Sequence, residues 1–179
     1  LIDAHTHHYI TTGIEESKFG IHAWELDEVL RRLAGMKNIE LTGMHFHIGS
    51  QITKMSVFQS LCNHINELQD WFISRNVEMK VINVGGGLGI DYENPDKYPA
   101  FADYFTLLND FIDLKPGQEL HLEPGRAVIG QCGSLISKVL YIKNGSNTMF
   151  AIIDAGMTDV IRPALYQAHH KIENLTSQG

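Results

Sequence analysis

The chain has 179 residues, 44% of them hydrophobic and 20% charged, proportions that suit a globular protein with one moderate core. A net charge of −7 excludes the basic footprint of a nucleic-acid binder and leaves small molecules or protein as the expected partners. No apolar run approaches the length of a membrane span and the opening residues do not read as a signal peptide, so the cytoplasm is the expected compartment.

Leu1-Ile2-Asp3-Ala4-His5 reads as the end of a strand already under way, which predicts a piece of a longer chain. One domain with part of a second is the expected organisation. Residues 1–20 lack periodicity and are rich in turn formers, hence a long loop. Within it, His5 and His7 share one side of the backbone. That spacing suits a divalent metal in a barrel hydrolase, and equally suits solvated or hydrogen-bonded loop histidines.

Residues 24–36 place Leu26, Val29, Leu30, Leu33 and Ala34 at helical spacing, predicting an amphipathic helix. Residues 40–50 read as a strand running into a loop. His45 and His47 alternate with apolar residues and face one side, as metal ligands or as stacked, hydrogen-bonded rings. A second helix over 56–74 carries Phe58, Leu61, Ile65, Leu68 and Phe72 on one stripe. Cys62 lies on its apolar face and is expected as a buried free thiol; with Cys132 it makes no metal or redox spacing.

Residues 79–84 are short, β-branched and apolar, the pattern of a buried parallel strand. They deliver Gly85, Gly86 and Gly87 into a loop. Consecutive glycines at a strand end let the backbone approach a ligand closely, and their N–H groups suit a phosphate; a purely structural turn is the alternative. The dinucleotide fingerprint fails, because the position six after Gly85 is Asp91 and no helix opens before Pro95.

A third helix uses Phe101, Tyr104, Phe105, Leu108, Phe111 and Ile112, with Pro99 suited to its first turn and Lys115-Pro116-Gly117 breaking it. Residues 119–123 form a strand ending in Pro124-Gly125-Arg126, where the Glu123 carboxylate and the Arg126 guanidinium emerge at a sharp turn. This alternation predicts parallel βα units. The marked strand ends at His47, at the glycines and at Glu123 and Arg126 would then meet on one face of a barrel or open sheet. After Ser134 two strands, 135–142 and 149–154, follow without an intervening helix. They predict a hairpin and a second, antiparallel domain beginning near Gly130.

Taken together, Asp3-Ala4-His5-Thr6-His7-His8-Tyr9, Lys18-Phe19-Gly20-Ile21, His45-Phe46-His47-Ile48-Gly49-Ser50-Gln51, Gly85-Gly86-Gly87, Glu123-Pro124-Gly125-Arg126 and Arg162-Pro163-Ala164-Leu165-Tyr166 resemble the diaminopimelate decarboxylase family. These are pyridoxal-phosphate decarboxylases of the alanine-racemase-like fold. The last motif favours diaminopimelate over ornithine and arginine relatives. The resemblance covers essentially the whole chain. It implies an α/β fold: the C-terminal half of a (β/α)8 TIM-type barrel in residues 1–130, followed by the first strands of an antiparallel β domain in 131–179.

It also implies roles. Gly85, Gly86, Gly87, Ser50 and Gly125 would hold the phosphate of pyridoxal 5'-phosphate, His47 would lie against its ring, and Glu123 would pair with the ring nitrogen. Arg126 would also contact the cofactor, and with Arg162 and Tyr166 would hold the substrate's distal carboxylate and stereocentre. His5, His7 and His8 become loop residues, with no metal. The lysine that bonds the cofactor would lie upstream, and a cysteine and glutamate lent by a partner subunit and a late tyrosine downstream. The whole protein is thus expected to convert meso-2,6-diaminopimelate to L-lysine and CO2 as a homodimer, and these residues alone to lack turnover. Alternatives are another basic amino acid, a non-catalytic homologue that binds the cofactor, or, more distantly, a metal-dependent hydrolase using His5 and His7.

Overall fold

Apolar stripes alternating with short β-branched runs fold into consecutive βα units, seen in a computed structural model that describes residues 18–94, 97 and 101–176. In chain order the elements are α1 (Leu26–Leu33), β1 (Gly43–His45), α2 (Met55–Ile73), β2 (Val81–Asn83), α3 (Phe101–Phe111), β3 (Glu119–His121), α4 (Arg126–Ile129), β4 (Val139–Asn144), β5 (Met149–Ile153) and α5 (Arg162–Tyr166). Strands β1, β2 and β3 lie in that order in one parallel sheet, and β4 pairs with β5 antiparallel.

The register explains where the core sits. Met44, Ile82 and Leu120 form one row across the sheet, and Ile82 is fully buried while the other two pack against the core. Onto that face α2 lays Phe58, Leu61, Cys62, Ile65 and Phe72, and α3 lays Tyr104 and Leu108. The Phe58 and Tyr104 rings meet edge to face at 4.9 Å. Each side chain of this size contributes about 1.5–3 kcal/mol by leaving water, and the ring contact adds about 0.5–1.5 kcal/mol. Asn66 on α2 caps the end of α3, its Nδ2 donating to the Phe111 carbonyl at 2.8 Å and its Oδ1 accepting from Asp113 N–H at 3.0 Å.

The next row, His45, Asn83 and His121, points to the opposite face because side chains alternate along a strand. His45 and His121 are exposed and Asn83 is half-buried. One face of the sheet is therefore core and the other carries polar chemistry.

Helix α2 lies within one residue of the expected 56–74, and α3 ends one residue short of Ile112, the last residue expected on its stripe. The first helix is shorter than 24–36: a 3₁₀ turn, Ala23–Glu25, precedes α1, and the chain leaves the helix through Gly35. The strands shrink to three residues each; positive φ at Gly85 turns the chain two residues past β2, and beyond Glu123, whose N–H still reaches Gly85 O, Pro124 has no N–H with which to pair further. Helices α4 and α5, of four and five residues, are too short to leave a periodic signal. The hairpin is confirmed with shifted ends. β4 starts at Val139 because Asp154 takes the Ser137 hydroxyl at 2.7 Å and Lys138 N–H at 2.8 Å, and it runs on through Lys143 and Asn144, which the sequence places in the connecting loop.

His5, His7, His8, Pro95 and Pro99 lie outside the described residues. Among the described residues no helix is long and apolar enough to cross a membrane.

Candidate active site

Past their last strand residues, the three loops remain stitched together. Phe46 N–H donates to Asn83 O at 2.9 Å, Val84 N–H to His121 O at 3.0 Å, and Glu123 N–H to Gly85 O at 2.8 Å. The loop after β1 then returns to the far side of the glycines, where Ile52 N–H meets Gly87 O at 2.8 Å and Ile52 bridges Leu88 in parallel. The three marked ends thus share one edge of the sheet.

The crowding gives the glycines a reason the sequence did not supply. A Cβ on Gly85 would overlap the Phe46 carbonyl oxygen, and one on Gly86 would overlap that of Glu123. The backbone that approaches these residues is that of the neighbouring loops. The ligand reading also keeps its chemistry. Among the described residues neither the Gly86 nor the Gly87 N–H has an acceptor; Gly86 is buried and Gly87 half-buried, and two adjacent donors of this kind suit an anion.

Glu123 stands beside them with its side chain 54% exposed. Asn83 Nδ2 donates to its Oε1 at 2.9 Å, and His45 Nε2 lies 3.5 Å from its Oε2. His47 is exposed, and its Cε1 lies 3.9 Å from where a Gly86 Cβ would sit. Ser50 is half-buried in the same loop, two residues before Ile52. Gly125 takes φ +43°, a left-handed conformation that glycine tolerates, and turns the chain from Glu123 into α4.

Arg126 opens α4, and its Nη1 donates to Gln51 Oε1 at 3.1 Å. Gln51 is a non-glycine residue at φ +63°, held there by a side chain that pairs with the backbone of Ile90: Nε2 donates to Ile90 O at 2.5 Å, and Oε1 accepts from Ile90 N–H at 3.4 Å. Two residues further on, Tyr92 receives a hydrogen bond from Arg162 Nη1 on its hydroxyl, and the guanidinium lies 4.9 Å from the ring centroid. Arg162 is therefore anchored directly to the segment that follows the glycines, and Arg126 through Gln51, whose amide pairs with that segment at Ile90. Asp91, between the anchors, has its carboxyl held below the usual range, first by the Asn94 N–H and also by Glu93 N–H and Lys97. Tyr166 lies four residues after Arg162 on α5 and is half-buried.

Every residue that the decarboxylase reading expects in the site lies among the described residues, whereas His5 and His7 of the hydrolase alternative do not. Sequence reasoning passed over the roles of Asn83, Tyr92 and Gln51, whose only local marks are an amide two residues before the glycine run, an aromatic five residues after it and a long amide at a loop corner. Among the described residues no three His, Cys, Asp or Glu side chains could hold a metal together.

An edge with a glycine loop, an exposed carboxylate and anchored guanidinium groups suits an anionic, nitrogenous cofactor and an anionic substrate. The chain is 56% identical to a diaminopimelate decarboxylase of Bacteroides thetaiotaomicron over 99% of its own length and 46% of that protein's. A Helicobacter pylori diaminopimelate decarboxylase solved with L-lysine superimposes with a TM-score of 0.86 at 35% identity, covering 95% of this chain and 42% of the other. The M. jannaschii enzyme in complex with L-lysine gives 0.81 at 31% identity, over 95% and 41%. The chain thus spans a little under half the length of the relatives it matches. Residues 2–130 match the family model described as pyridoxal-dependent decarboxylase, pyridoxal binding domain, and the chain belongs to that family.

Proposed function

We propose that the whole protein decarboxylates meso-2,6-diaminopimelate to L-lysine and CO2 with pyridoxal 5'-phosphate, as a homodimer with sites at the interface, in the cytoplasm. The observation that carries this reading is the meeting of the Glu123 carboxylate and the glycine loop at one sheet edge, bridged by the Asn83 amide. Residues 1–130 would be the second half of a (β/α)8 barrel and 131–179 the opening of the β domain. Parallel βα units with helices on one face only, and a polar opposite face, support that assignment. The apolar residues exposed on the hairpin, such as Leu140, Tyr141 and Phe150, are consistent with further strands covering it.

The residues present fit the cofactor. Gly85, Gly86 and Gly87, with Ser50 and Gly125, would bind its phosphate. His47 would flank the ring, and Glu123 would hold a proton on the ring nitrogen. When bound, pyridoxal phosphate supplies the sink for the electron pair left as the substrate's carboxylate departs as CO2. Arg126, Arg162 and Tyr166 would hold the distal carboxylate and select the stereocentre. The guanidinium groups suit this because their planar donors match a carboxylate in pairs. The lysine that bonds the cofactor would come from outside these 179 residues.

The test is CO2 release from meso-diaminopimelate by the full-length protein supplied with pyridoxal phosphate. Release that Glu123→Ala or Arg162→Ala lowers by about 100-fold or more is the expected result. Cofactor binding without release from diaminopimelate would move the reading to another basic amino acid or to a non-catalytic binding protein.

A further inference from the structure

We propose that Asn83 is a positioning residue whose single carboxamide fixes the Glu123 carboxylate relative to the glycine loop, an inference that rests on the pyridoxal-phosphate reading above. Asn83 is the last residue of β2. Its Oδ1 accepts the Gly85 N–H at 2.8 Å, and its Nδ2 donates to Glu123 Oε1 at 2.9 Å. Its backbone carbonyl accepts the Phe46 N–H at 2.9 Å. One residue therefore ties together the loops that follow all three parallel strands.

Chemistry fixes the orientation of this amide. A backbone N–H can only donate and an ionised carboxylate can only accept, so the oxygen must face Gly85 and the nitrogen Glu123. The flipped amide would set donor against donor and acceptor against acceptor. Asparagine meets both demands with one short side chain. Aspartate would keep the Gly85 bond but set a second carboxylate against Glu123, and alanine would lose both bonds.

The arrangement leaves Glu123 oriented yet available. Asn83 occupies Oε1 and His45 approaches Oε2, while the side chain stays 54% exposed. Its carboxylate plane is set before any ligand arrives, by a residue whose other end belongs to the phosphate-binding loop. A shift of that loop would thereby move the carboxylate as well, so that the groups that would hold the phosphate and the ring nitrogen are set against one side chain.

The experiment compares full-length parent, Asn83→Asp, Asn83→Ala, Glu123→Gln and the double variant Asn83→Asp/Glu123→Gln. Four quantities are read: melting temperature, pyridoxal phosphate dissociation constant, absorption band of the bound cofactor, and kcat and KM for meso-diaminopimelate. Asn83→Asp is expected to bind cofactor within about threefold of the parent, because the loop bond persists. Its absorption band should move toward that of Glu123→Gln, with kcat down about tenfold or more and KM changed by less than about threefold. Asn83→Ala should weaken cofactor binding by about tenfold, because the glycine loop is released as well. An Asn83→Asp variant with the parent's band and kcat would overturn the proposal.

If Asn83→Asp does not fold, the double variant decides, since a glutamine at 123 offers the new acceptor a donor. Recovery of folding in the double variant supports the pairing, and a double variant as unstable as the single overturns it. A parent that binds cofactor but releases no CO2 would refute the substrate while the absorption band still judged Asn83. A parent that binds no cofactor would overturn both.

Discussion

Arg126 and Gln51 are 75 residues apart in sequence, yet Arg126 Nη1 donates to Gln51 Oε1 at 3.1 Å, and that oxygen belongs to an amide already paired with the backbone of Ile90. The guanidinium is thus aimed by a side chain that has no freedom of its own. Gln51→Ala should leave the arginine in place but unaimed, and in the full-length protein KM for diaminopimelate should rise by about tenfold with kcat less affected. Steady-state kinetics check this. An unchanged KM would separate Arg126 from substrate binding.

Arg162 is held differently, by the hydroxyl and the ring of Tyr92 together. Tyr92→Phe keeps the ring and removes the hydroxyl, and should raise KM by roughly threefold; Tyr92→Ala removes both and should raise it by roughly tenfold. If the two variants behave alike, the ring contact carries no weight.

The glycines make a prediction about stability that is independent of function. Gly86→Ala would drive a methyl into the Glu123 carbonyl and should cost about 3 kcal/mol or more, read as a fall in melting temperature. Gly133 has open space around the corresponding position, so Gly133→Ala should stay within about 0.5 kcal/mol of the parent.

Cys62 is fully buried in the core while Cys132 is exposed. Burial pushes the Cys62 thiol up to about 11, and burial with the neighbouring Cys62 charge pushes the Tyr104 hydroxyl up to about 12. The folded state therefore keeps protons that the unfolded chain gives up earlier. For Cys62 the stabilising contribution is complete below the ordinary thiol value of 9.0 and is lost as pH rises from there to about 11. The urea midpoint should fall between about pH 8 and about pH 10.5, and Cys62→Ala, though less stable at the lower pH, should lose less across that range. At neutral pH a thiol reagent should label Cys132 rapidly and Cys62 only through unfolding.

The helices were legible because α2 and α3 have long apolar stripes, and the shared strand ends were legible because glycines, histidines, Glu123 and Arg126 each follow a short apolar run. What stayed hidden was contact at a distance. Nothing local to Asn83 announces Glu123, and nothing local to Tyr92 announces Arg162; each pairing exists only once the sheet sets its register. The glycines were located by sequence, but their cause was not, because the atoms that exclude a Cβ belong to other loops. The short helices α4 and α5 escaped for lack of length, since a single turn has no period to detect.

In β2, Ile82 belongs wholly to the core and Asn83 to the polar edge, and they are adjacent in the chain. Inserting or deleting one residue within this strand would exchange their faces, sending an amide into the packed interior and an isoleucine to the carboxylate. Substitutions here can be graded, but changes in length cannot. Within a strand of three residues, interior and chemistry share a reading frame.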